Sequence, residues 1–106
     1  MSHAQLEGAN LTGCNLKGAK LQGANLRNVD LRGFDFSGFN LQGTVFEGAN
    51  LTDCNLEGAN LQNANLQDAN LSDCNLKGAK LSNADMQDAD LSRCNLNHDL
   101  NCTLSY

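Results

Sequence analysis

The sequence predicts an all-β fold, a right-handed quadrilateral parallel β-helix of about five coils, each made of four five-residue units. Three observations predict it. An apolar residue recurs at every fifth position from Leu6 to Leu96. A turn-forming residue follows it two positions later. Longer stretches of sequence recur further along the chain, always at whole multiples of four units.

The apolar column comes first. It runs without a gap through 19 units: 16 have Leu, with Phe36, Phe46 and Met86 as the exceptions. We call this residue the centre of its five-residue unit. Two positions earlier runs a column of small residues, eleven Ala with Cys14, Cys54, Cys74 and Cys94. Its departures are Val29, Phe34, Phe39 and Thr44. On an α-helix, five residues advance about 140° beyond a full turn, so the Leu would wind round every side. On a straight strand, an odd period would alternate the Leu between faces. Both columns stay inside only if the backbone turns a corner once per unit.

The corner has its own column. Two residues after the centre, ten units carry Gly, three carry Asn and four carry Asp. These residues tolerate positive φ and tight turns. Gly dominates up to Gly58 and Asn and Asp dominate afterwards, which predicts a drift from type II turns to less regular ones. Asn precedes the centre in 11 units. It should point outward and bond nearby backbone.

The longer recurrences set the coil. Residues 8–16 nearly repeat at 48–56, and residues 14–21 repeat at 74–81. The in-phase Cys fall at 14, 54, 74 and 94, separated by eight, four and four units. A coil of four units satisfies all of these, and four corners make a square. Parallel crossover chirality favours right-handed winding.

Runs such as AlaAsnLeuGlnAsn at 59–63 and AlaAsnLeuGlnAsp at 64–68 resemble the pentapeptide repeat family and its A(D/N)LXX pattern. The resemblance covers residues 4 to about 98. It implies the same quadrilateral β-helix and brings no common enzymatic activity. Some members of the family protect DNA gyrase and resemble DNA in shape and charge. This chain differs from them in being short, in having no loop that breaks the repeats, and in having sparse acidic residues.

The expected organisation is a lead-in or cloning remnant at residues 1–3, the solenoid at 4–98, and an irregular cap at 99–106. After Leu96 the phase is lost, with Leu100 and Leu104 out of register. An open solenoid leaves strand edges at its ends, so an end-to-end homodimer is one expectation.

The 106 residues allow one domain, and the net charge of -5 argues against direct nucleic-acid binding. No stretch is long and apolar enough to cross a membrane, and no secretory signal opens the chain, so a cytoplasmic location is expected. Five Cys, an odd number, are read as reduced thiols.

Four groups of side chains are candidates for function. Cys54, Cys74 and Cys94 should stack in one inward column, as slightly larger Ala in a dry core rather than as a metal or redox site. Cys94, His98 and Cys102 have ligand-like spacing without an evident fourth ligand. Leu16, Phe34, Phe36, Phe39 and Phe46 are assigned to the core, the Phe at small-residue positions widening the coil or pushing a ring across the axis. Asp68, Asp85, Asp88 and Asp90 fall on the sides away from Lys17, Lys20, Lys77 and Lys80, and form a candidate interaction surface.

No catalytic residues, cofactor or metal are predicted. The leading expectation is a non-enzymatic structural or protein-interaction module with a protein partner. The alternatives are a DNA-mimic-like protector of gyrase or topoisomerase, and a Cys-based metal or redox protein.

Overall fold

A turn closes each unit, and its chemistry explains the rest of the architecture. In the computed structural model, which describes residues 3–96, every unit from Leu6 to Leu91 bends the same way. The small residue after the corner donates its N–H to the carbonyl of the centre three residues back, at 2.8–3.3 Å. The residue between them has positive φ, as in a type II turn. At Gly it lies between 68° and 78°, and at Asn28, Asp53, Asn63, Asp68, Asp73, Asn83 and Asp88 between 59° and 63°.

The expected drift in turn type is therefore corrected. The hydrogen bond and the sign of φ persist past Gly58, because Asn and Asp enter the left-handed region at small cost. Arg93 enters it too, at φ 57°, and its guanidinium reaches Asp73 one coil away at 2.8 and 3.2 Å.

The Asn and Asp before the centre lock the same corner from outside. From Asn10 to Asp90, each accepts the backbone N–H two residues on through its Oδ1, at 2.9–3.2 Å. This is the Asx turn expected of a short polar side chain next to a bend.

Each coil takes four units, as the sequence requires. Parallel bridges join Gln5 to Asn25, Asn25 to Val45, Val45 to Asn65 and Asn65 to Asp85, and the other sides follow the same step. Each side between corners is so short that paired residues mostly appear as single bridges. Among the described residues only β1 (Asn75–Leu76) and β2 (Asn95–Leu96) are long enough to be strands, and they pair in parallel. Between the second and third coils each side carries three bonds. For the side centred on Phe36, Phe36 N–H reaches Asn55 O at 2.7 Å, Gly38 N–H reaches Glu57 O at 2.9 Å, and Asn55 N–H reaches Phe34 O at 3.0 Å. The molecule measures 22 × 21 Å in its two shorter dimensions, as a square cross-section requires. This is the right-handed quadrilateral β-helix.

The core is the stacked centre and small-residue columns. Leu21 to Leu76 and Met86 are sealed from water at the centres, with Ala24, Ala49, Ala59, Ala64, Ala69, Cys54 and Cys74 beside them. Phe36 and Phe46 are fully buried. His3 is exposed but in phase, with φ 60° and its N–H on Gln22 O at 3.0 Å.

The assigned core needs correction at four places. Leu16, Phe34, Phe39 and Cys94 are only half-buried. Leu16 lies in the first coil, where nothing described stacks beneath it, and Cys94 lies in the last described coil. Phe34 and Phe39 cannot enter an axis already filled by Phe36. Their ring centroids lie 5.9 and 5.3 Å from the Phe36 ring, and the Phe39 contact is edge-on at 81°. The cap expected at 99–106, with Leu100 and Leu104, lies outside the described residues.

The turn gives a direct test. Gly58 has φ +68° and open space where a Cβ would stand. Gly58→Asn should leave the denaturation midpoint almost unchanged, while Gly58→Val should cost about 1–2 kcal/mol through backbone strain. Equal loss in both variants, measured by urea titration, would contradict the corner account.

Candidate functional site

Three places carry unusual chemistry: the Cys column, the acidic edge, and an opening between the first two coils.

Stacking puts Cys54, Cys74 and Cys94 in one inward column. Each thiol donates to the carbonyl of a centre in the coil before it: Cys54 Sγ to Leu31 O at 2.9 Å, Cys74 Sγ to Leu51 O at 2.8 Å, and Cys94 Sγ to Leu71 O at 2.8 Å. Thr44 does the same with its hydroxyl, to Leu21 O at 2.7 Å. Those carbonyls already accept the turn N–H, so the small-residue column supplies a second donor where the residue has one. Cys is thus more than an enlarged Ala.

The stacked thiols are coupled. A thiolate at Cys54 would accept from the Cys74 thiol, which lowers Cys54 and pushes Cys74 up to about 12. Cys94 is raised by the Cys74 thiol and then by burial. Cys14 is exposed and stands at the opening. Among the described residues no three His, Cys, Asp or Glu side chains converge as metal ligands. His98 and Cys102 lie outside the described residues.

The acidic residues gather along one edge of the C-terminal half. Asp68 and Asp88 occupy the same corner in successive coils, and Asp85 and Asp90 flank it. Asp68, Asp88 and Asp90 are exposed and Asp85 half-buried. Asp85 accepts from Gln67 Nε2 at 2.8 Å. Asp90 accepts from both the backbone and hydroxyl of Ser92, which lowers its pKa. One corner on, the Arg93 guanidinium holds Asp73 below the usual carboxylate range. Arg27 pairs with Glu47 at 3.3 Å, and Arg32 with Asp30 at 3.0 Å. All four Lys lie on the two sides opposite this edge.

The opening is a feature that the repeat pattern does not announce. On the side centred on Leu16 the bridge and the inter-coil backbone bonds seen higher in the stack are both missing, whereas the side centred on Leu11 keeps its Asn10–Asp30 bridge without the close backbone bonds. Three adjoining cavities of about 570, 380 and 410 Å³ run along this break. Phe34 lines the first two, and Phe39 lines the first and third. Its trace in the sequence is two rings in a column of small residues, which marks crowding but not a break between coils.

Two outcomes follow for solution chemistry. A thiol reagent should modify Cys14 rapidly in the native protein and leave Cys54 and Cys74 intact until denaturant is added; peptide mass mapping reads both. Rapid modification of Cys74 in the native state would overturn the ladder. Asp30, Asp35, Asp73 and Asp90 are all depressed, so their contribution to stability is full above pH about 4 and lost as pH falls through the folded values. The melting temperature should therefore drop below pH about 4, and less steeply in Asp73→Asn.

Comparison with known proteins bears on the whole chain. The family described as Pentapeptide repeats matches in 8 copies, over residues 1–38, 34–68 and 59–97. No curated protein matches. A pentapeptide repeat protein of the Arabidopsis thaliana thylakoid lumen is similar at 27% identity and a TM-score of 0.58, over 87% of this chain and 65% of that one. A trypsin-treated form of QnrB1, a plasmid-mediated fluoroquinolone resistance protein, is similar in fold at 18% identity and a TM-score of 0.71. The match covers 96% of this chain and 51% of that one, so the chain spans half to two-thirds of these relatives' lengths. No helix among the described residues is long and apolar enough to cross a membrane. With the repeat matched over residues 1–97 and the coil geometry in place, the chain belongs to the pentapeptide repeat family.

Proposed function

We propose that this chain is a non-enzymatic protein-interaction module of the cytoplasm that meets a protein partner through its acidic edge. The observation that carries the reading is the stacking of Asp68 and Asp88 between Asp85 and Asp90, with the Lys on the far sides. A rigid rod fixes these carboxylates in a row at coil spacing, without the entropy cost of ordering a loop. A partner with a complementary basic strip is steered to that edge. The thiol ladder argues against the metal or redox reading, since each inward thiol is engaged as a donor to backbone.

Protection of gyrase is a second reading. It draws on the family resemblance and on the fold shared with a fluoroquinolone resistance protein. The four carboxylates sit at one edge, which suits a local protein contact better than imitation of two phosphate rows.

The test uses the immobilised protein and extract from its host. The partner recovered should be lost about tenfold in an Asp68→Asn, Asp88→Asn and Asp90→Asn variant, in which Asn keeps the left-handed φ at both corners and the Asx acceptor before Leu91, so that the fold persists at neutral pH. Retention of the same partner by that variant would sink the assignment of this edge. A gyrase supercoiling assay with and without fluoroquinolone decides the second reading, and no effect at micromolar protein removes it.

A further inference from the structure

The break between the first and second coils leaves a strand-sized set of backbone groups without partners. On the side centred on Leu16, repeat geometry calls for Leu16 N–H on Asp35 O, Gly18 N–H on Ser37 O, and Asp35 N–H on Cys14 O. None of these bonds forms, whereas the same side one coil up makes all three of its own. The bridge that should join Asn15 to Asp35 is likewise missing among the described residues. Both lips therefore present donors and acceptors in β register.

The floor between the lips is apolar. Leu16, Phe34 and Phe39 line it, with the Cys14 thiol at its edge. The lip charges are unequal. Lys17 lines the largest cavity and Lys20 the next along, and neither has a carboxylate within ion-pair distance among the described residues. Arg27, Arg32 and Arg93, by contrast, each already hold a carboxylate. Asp35, on the facing lip, is turned into its own corner, where its carboxylate accepts Ser37 N–H at 3.0 Å.

We infer that this opening is a docking slot for an extended acidic peptide of about five residues, which adds a strand between the first two coils. Main-chain bonds to both lips would supply affinity, alternate apolar side chains would sit on Phe34 and Phe39, and carboxylates on the other face would meet Lys17 and Lys20. Side length sets the peptide length, because a straight strand cannot follow the solenoid round its corner. The slot is separate from the acidic edge, so the two proposals stand or fall independently.

The experiment is fluorescence anisotropy with a labelled hexapeptide that alternates Glu with Leu or Val. It should bind, and the same peptide with Lys in place of Glu should not. Lys17→Glu with Lys20→Glu should weaken binding at least about tenfold. Phe34→Ala with Phe39→Ala should abolish binding, because small residues let the first coil seat on the second. In that variant, hydrogen exchange at Leu16 and Asp35 should slow even without peptide. Failure of the acidic peptide to bind, equal binding of the basic one, or undiminished binding by the double-Ala variant would each overturn the slot.

Discussion

A left-handed backbone conformation at every fifth residue is the constraint on which the solenoid rests. It turns the chain through a right angle, brings the small residue's N–H onto the centre's carbonyl, and sends the next centre inward. Without it the Leu period would alternate faces and no axis would form. The coil length follows, since four right angles bring the chain back above itself and align three backbone bonds per side. The outer Asx bond and the inner thiol or hydroxyl bond then serve groups that the bend leaves near one another.

That dependence makes the interior unforgiving about size but tolerant about identity. Leu fills one column and Ala, Cys or Thr the other, and Val29 still fits with no exposure. A Phe at a centre fits too, as Phe36 and Phe46 show. Phe at a small-residue position does not. Phe34 and Phe39 flank the Phe36 ring within one coil, and three rings exceed what one coil can enclose. The surplus faces the first coil, where the ladder stops.

Most of the fold was legible because each column answers to one physical demand. Period, coil length and corner positions could be read from Leu6 onward without knowing a single contact. The turn drift was misread because Asn and Asp were expected to make less regular turns than Gly, whereas Asn63 and Asp68 hold the same left-handed φ and close the same bond. The exposure of Leu16 was missed because a repeat pattern treats every coil as an interior one, whereas among the described residues the first coil is stacked on one side only. The acidic edge could be placed from register alone. The opening could not, since its existence depends on how three Phe rings share one cross-section, a packing outcome that column statistics do not contain.

The opening also survives for an energetic reason. An amide denied its partner inside a core costs its full desolvation, but an amide facing water exchanges one hydrogen bond for another of nearly equal worth. In a stack stabilised by nearest neighbours, a coil held on one side only, as the first described coil is, has the least to lose by parting. Two large rings in a middle coil would break the ladder on both sides and expose sealed Leu above and below. Placed in the second coil, they part it only from the first described coil. Coils above them keep every bond, with Cys54 beneath Cys74 and Phe46 sealed at its centre. The position of Phe34 and Phe39, on the face of the second coil that meets the first, is what lets a disrupted ladder coexist with an intact core.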